Sequence, residues 1–310
     1  MRRWPPISDA SVASGPARRR FRIEVADAQA DSEALASARR SNLLIRILTA
    51  AVLIAVVLLV LLAGSVWVYA ALAVVLGAGL IEYWQLTRAL QTPAPLWLLF
   101  PLSYAFLLRD HLPASANLTL VLAAASVVGL GAMVFLRDWQ ASLTRWALAI
   151  GGSLWLGLLL SFYASLYFRH QPDPTRQGFW LVIIVFVTIW IGDTAAMLAG
   201  MRFGRHRFFP RISPKKTAEG AVAELLVSAA FFSVAALFLH IGFPHNLLLG
   251  LLIGAAAQVG DLVESQLKRT AGVKDASQLI PGHGGVLDRI DSLLPVGALV
   301  YYYLAFLHLA

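Results

Sequence analysis

From Ile47 to Ile81 the chain runs without a single charged side chain. As one helix rising 1.5 Å per residue, that stretch would reach roughly 52 Å, well beyond the ~30 Å hydrocarbon core of a bilayer. It must hold two membrane-crossing helices, and the turn between them falls near Ala63-Gly64-Ser65. The rest of the chain agrees, being 59% hydrophobic and only 14% charged, where a soluble domain carries about 25% charge. The sequence predicts an all-α, polytopic integral membrane protein with about nine transmembrane helices. They fall near 44–63, 66–86, 95–109, 117–136, 146–168, 178–200, 221–241, 245–262 and 292–310. The segment 95–109 is short and carries Pro95 and Pro101, and without it every later span would change direction.

Loop charge orients these spans. With the amino terminus in the cytoplasm, 22 of the 25 Lys and Arg fall on the inner side, and only Arg109, Arg169 and Arg176 fall outside. That asymmetry obeys the positive-inside rule, so the net charge of +8 reads as topology and contact with anionic membrane lipids, not as nucleic-acid binding. Residues 1–40 mix Arg and acids with Pro, Ser and Ala and contain no apolar run. They are expected to form a disordered cytoplasmic tail, followed by a single transmembrane catalytic domain over 41–310. The absence of cysteine excludes disulfides, thiol catalysis and Cys-ligated metal, leaving oxygen or imidazole to hold any ion.

Chemistry-bearing residues crowd the last third, where eight of the 17 acids lie between 193 and 291. Asp261, Glu264, Ser265 and Lys268 are spaced i, i+3, i+4 and i+7, so a helix continuing past the eighth span presents all four on one face. Asp288 and Asp291 are expected to share a face at the start of the last helix, after the flexible Pro281-Gly282-His283-Gly284-Gly285 loop. Two acidic faces joined by a glycine hinge can converge on a divalent ion, whereas a charge run that merely avoids lipid has no reason to concentrate acids this way. All four lysines, Lys215, Lys216, Lys268 and Lys274, also lie in this third, and a lysine ammonium is a compact point charge suited to phosphate. Ser213-Pro214-Lys215-Lys216-Thr217 stands at the start of a span, where hydroxyls, cations and a helix amino terminus together suit a phosphate cradle. A polybasic loop that only contacts anionic lipid would need nothing more than the cations. Asp193 lies inside the sixth span, where a bare carboxylate costs on the order of 3 kcal/mol, so it requires a partner or a water-filled cavity. His283 suits either a loop-ordering hydrogen bond or phosphate and proton contact. Gly200 and Gly204 have the spacing of a helix contact. Phosphate-loop, dinucleotide and zincin motifs are absent.

Ser265-Gln-Leu-Lys268-Arg269, Lys274-Asp275, Pro281-Gly-His283-Gly-Gly285 and Asp288-Arg289-Ile-Asp291 together resemble the signature of the phosphatidate cytidylyltransferase, or CDP-diacylglycerol synthase, family. Gly192-Asp193-Thr194 and Ile212 to Gly220 resemble its second block, and the likeness extends loosely from Arg46 to the end. The resemblance implies transfer of CMP from CTP to phosphatidate with Mg²⁺ as cofactor, at the cytoplasmic face of what would be a bacterial inner membrane. By position it makes Asp261 and Asp288 the metal carboxylates, with Asp291 and Asp193 beside them. Lys268, Arg269, Lys274, His283 and Arg289 are the expected catalytic groups, and Ser213, Lys215, Lys216, Thr217 and Ser265 the nucleotide-binding ones. The chain departs from the family pattern at Ala196-Met197, at Ala218, and at Ala221 to Glu224, where glycines are common. CTP, phosphatidate and membrane lipids are the expected partners, and a homodimer is compatible with this reading. A CTP-dependent polyprenol or lipid kinase would share nucleotide and topology. A transporter would need polar residues crossing the midplane in several spans, and only the sixth carries a charge well inside it. The D-G-x-x-A-R pattern of the CDP-alcohol transferases is absent.

Overall fold

Apolar runs this long can satisfy their backbone in lipid only as helices, and the computed structural model is built almost entirely from them. It describes residues 45, 47–113, 118–135, 139–169, 176–280 and 284–307; the expected tail and His283 lie outside these residues. By contact, residues up to Leu53 form one unit and Ile54–Ala310 a second, which contains the core.

Among the described residues the helices are α1 (Ile47–Ala63), α2 (Ser65–Ala89), α3 (Leu96–Leu107), α4 (Leu118–Val134), α5 (Trp139–Gly152), α6 (Leu159–Phe168), α7 (Gln177–Phe203), α8 (Ala218–Ala235), α9 (His245–Thr270), α10 (Leu287–Ile290) and α11 (Leu293–Phe306). A π-helical turn, Ser153–Leu158, joins α5 to α6 into one rod. Counting that rod once and setting aside the four-residue α10, nine apolar helices stand where nine spans are expected. Five of them are long and apolar enough to cross a membrane, and α9 continues past the expected end of its span to Thr270. The break between α1 and α2 falls at Gly64, whose φ of 96° is a backbone region that glycine enters without steric cost. The segment around Pro101 gives only the 12 residues of α3, roughly 18 Å of helix, too short to span the core by itself.

One departure from the all-α expectation matters for the site. Arg207–Phe209 (β1) and Ser213–Thr217 (β2) pair as an antiparallel hairpin. Its turn closes with the Ile212 N–H donating to the Phe209 carbonyl at 3.1 Å, and Pro214 holds Ser213 extended by crowding its backbone. Thr217 then ends the strand and caps α8, its hydroxyl accepting from the Gly220 N–H at 3.2 Å.

Packing uses close backbone approach and buried tyrosines. Helix α8 lies between α7 and α9, α9 packs on α11, and α11 on α6. Gly250 of α9 faces Ala229 so closely that a Cβ there would stand 2.7 Å from its Cα, the small-residue contact that lets membrane helices approach. The hydroxyls of Tyr163 and Tyr167 donate to the carbonyls of Leu293 and Leu61, both at 2.8 Å, so each phenol buries its ring and still satisfies its polar end.

Candidate active site

The hairpin, the amino end of α8, the carboxyl half of α7 and the middle of α9 enclose a cavity of about 550 Å³, within the usual size of small-molecule sites. Asp193, Glu224 and Asp261 line it from three helices; Lys215, Lys216 and Thr217 line it from β2, Arg207 from the start of β1 and Arg205 from the chain just before it. Asp193 thus has the polar cavity that its depth in the span requires. Lys216 Nζ stands 2.5 Å from Asp261 Oδ2, and Ser265 donates to Asp261 Oδ1 at 3.2 Å. The i, i+4 step on α9 sets that second contact. Gly200 and Gly204, which have helix-contact spacing, face Thr217 and leave room for the strand where it enters α8.

A second cluster forms where α9 meets α10. Lys268 Nζ lies 2.5 Å from both Glu264 Oε2 and Asp288 Oδ1. Asp288 Oδ2 accepts the N–H groups of Gly285 at 2.8 Å and Ala276 at 3.2 Å. Burial opposes ionisation of Asp288, yet the Lys268 ammonium and the Gly285 N–H outweigh it and hold the carboxyl below its usual range. Asp291 is placed differently from Asp288, being buried on the α9 side of the chain as it enters α11. Burial first, and then the charge of Asp261, push its pKa up to about 7. The two acids meet different surroundings: Asp288, within α10, pairs with Lys268 and the loop N–H groups, whereas Asp291, just past α10, lies within electrostatic reach of Asp261 and Asp193.

The remaining sequence candidates are distributed around these clusters. Arg269 is exposed and donates to the carbonyls of Ile212 in the hairpin turn at 3.3 Å and of Val273 at 3.4 Å. Lys274 and Arg289 are exposed and do not line the cavity, with Arg289 within electrostatic reach of Asp193. Ser213 belongs to β2 but does not line the cavity. Two groups of residues escape the sequence reading. Arg205 and Arg207 face the cavity although only the downstream Ser-Pro-Lys-Lys-Thr run stands out in the sequence. Glu82, which ends the uncharged run, is buried in α2 and accepts from the signature loop: from Ser277 Oγ at 2.5 Å, from Val286 N at 2.9 Å and from Leu287 N at 2.7 Å. Its signal was present, since an acid inside a span marks function by default.

The donor set suits a hard divalent cation, which prefers carboxylate oxygens. Among the described residues no three acids or imidazoles stand close enough to ligate one ion as arranged. Lysine ammoniums occupy the Asp261 and Asp288 carboxylates, and Glu264, 1% exposed, keeps Oε1 buried without a hydrogen-bond partner among the described residues. Asp291, raised first by burial and then by the charge of Asp261, stands where a cation would relieve both.

Comparison with known proteins agrees with this chemistry. The sequence profile of the cytidylyltransferase family matches residues 44–307. A phosphatidate cytidylyltransferase of Synechocystis sp. (strain ATCC 27184 / PCC 6803 / Kazusa) is 34% identical over 84% of this chain and 96% of its own length. Those of Haemophilus influenzae and Staphylococcus saprophyticus are 40% and 37% identical over 44% and 43% of this chain, covering 50% and 52% of their own lengths.

Proposed function

Since the chain belongs to the cytidylyltransferase family, we infer that it transfers CMP from CTP to phosphatidate, releasing pyrophosphate and forming CDP-diacylglycerol. The observation that carries this reading is the cavity in which Asp193 and Asp261 face Lys215, Lys216, Arg205 and Arg207: acids for a divalent ion beside cations for phosphate. A phosphate monoester, with a second pKa near 6, is already largely dianionic at pH 7. It needs no strong general base to attack the α-phosphorus, and the obstacle is repulsion between two polyanions. Lys215, Lys216, Arg205 and Arg207 would draw both substrates together and neutralise charge that develops as the bond to pyrophosphate breaks. Lys268, released from Asp288, and the exposed Arg269, Lys274 and Arg289 would serve the leaving pyrophosphate. His283 belongs to the same loop.

Asp193, Asp261 and Asp291 would hold Mg²⁺, with Asp288 joining them when Lys268 turns to a substrate phosphate. Bound there, the ion would supply charge neutralisation at the phosphate oxygens. The excess of positive charge on one set of loops supports a site that faces the cytoplasm, at what would be a bacterial inner membrane, where the lipid surface would present phosphatidate. The test is product analysis of the purified protein in detergent with labelled CTP, phosphatidate and Mg²⁺. CDP-diacylglycerol and pyrophosphate are expected, with loss of turnover on chelation. Release of CDP with phosphorylation of a lipid alcohol would instead favour a kinase.

A further inference from the structure

We propose that Glu82 is a positioning residue for this transfer, a carboxylate on α2 that clamps the signature loop so that Asp288 and Lys268 meet the substrates in one geometry. The proposal rests on the activity inferred for the site. Glu82 is 3% exposed and does not line the cavity, so it acts through the loop and not on the reacting atoms. A carboxylate offers only acceptors, and here both oxygens are used. Oε1 takes the Ser277 hydroxyl at 2.5 Å and the Val286 N–H at 2.9 Å, while Oε2 takes the Leu287 N–H at 2.7 Å. These donors come from both limbs of the loop, because the bridge between Ile280 and Gly284 lies between Ser277 and Val286. One side chain of α2 therefore ties the loop's entry to its exit.

The surrounding residues make room for that clamp. A Cβ on Gly285 would stand 2.6 Å from Glu82 Oε2, so any other residue there would push this carboxylate from its place against the loop. The next N–H inward, that of Gly285, goes to Asp288 instead. Two carboxylates from separate helices thus divide three consecutive loop N–H groups between them, and movement of one limb moves Asp288. An apolar residue at position 82 would leave buried donors unpaired, and a glutamine would turn an N–H₂ toward at least one of them.

The experiment compares wild type, Glu82→Gln and Ser277→Ala in detergent, by steady-state kinetics and by hydrogen exchange of peptides covering 277–287. For Glu82→Gln we expect kcat to fall about tenfold to a hundredfold, as a small misplacement of catalytic groups does. The KM for CTP should stay within about threefold, because the cavity cations are untouched. Exchange should rise in the loop peptides and not in α7. Ser277→Ala, which removes one donor, should show a smaller kcat loss of the same kind, and it decides the matter if Glu82→Gln does not fold. A variant that exchanges faster in the loop yet turns over like wild type overturns the proposal, as does unchanged loop exchange. A wild type that makes no CDP-diacylglycerol sinks the activity itself, and the exchange data would still report whether the clamp exists.

Discussion

Two of the four site lysines rest on aspartates, Lys216 on Asp261 and Lys268 on Asp288, and the two kinds of residue should respond differently to substitution. Asp261→Asn and Asp288→Asn keep shape but remove charge. We predict that each lowers kcat by about 100-fold or more, with little recovery on added Mg²⁺, as when a charge central to the transition state is lost. Asp110→Asn provides the comparison. That acid accepts from Ser165 and pairs with Arg109, away from the cavity, and turnover per folded protein should stay near wild type. If Asp261→Asn proves equally mild, the metal assignment is wrong. Lys215→Ala should act chiefly on KM for the anionic substrates, since its exposed ammonium faces the cavity, whereas Lys216→Ala, which also takes the ion pair from Asp261, should lower kcat as well. Initial-rate kinetics over CTP and phosphatidate separate these cases.

At the scale of elements, the site depends on how strand β2 enters α8 and how closely α8 meets α9. Thr217→Ala removes the hydroxyl that accepts from Gly220. It should destabilise the protein by about 1 kcal/mol, seen as a lower midpoint of thermal unfolding in detergent, with a rise in KM because Lys215 and Lys216 lie on the same strand. Gly250→Val should cost about 1–3 kcal/mol by forcing a side chain against Ala229 and Ser228. Gly131→Val in α4, where a Cβ meets nothing within 4 Å, is the matched control and should leave the midpoint unchanged. Equal midpoints for the two valine variants would show that α8 and α9 need no such close approach.

For the whole molecule, the orientation of the helices decides which compartment supplies CTP. A chain without native cysteine allows single-cysteine labelling against no background. Cysteine in place of Ser213 should resist a membrane-impermeant reagent in intact cells and react once they are permeabilised. Cysteine in place of the exposed His111 should react from outside. Labelling of Ser213→Cys from outside would invert the proposed topology and put the cavity on the wrong side for cytoplasmic nucleotide.

The sequence alone determined the class of fold, because an uncharged run too long for one crossing leaves the backbone no choice but helices, and hydropathy marks most of their ends to within a few residues, the start of α5 and the end of α9 excepted. It determined local geometry on α9 too, since the i, i+4 spacing puts Asp261 beside Ser265 and Glu264 beside Lys268 whatever surrounds them. The resemblance to the cytidylyltransferase signature added the chemistry. Tertiary structure decided what local spacing cannot. Asp288 and Asp291, three residues apart, meet different partners, Lys268 for the one and the charges of Asp261 and Asp193 for the other, and Glu82 reaches donors some 200 positions away only because α2 lies against the loop. The hairpin that carries Lys215 and Lys216 depends likewise on Pro214 and on the turn from Phe209 to Ile212. Helical periodicity is a property of neighbours along the chain, whereas the partner of a buried carboxylate is set by which helices pack together.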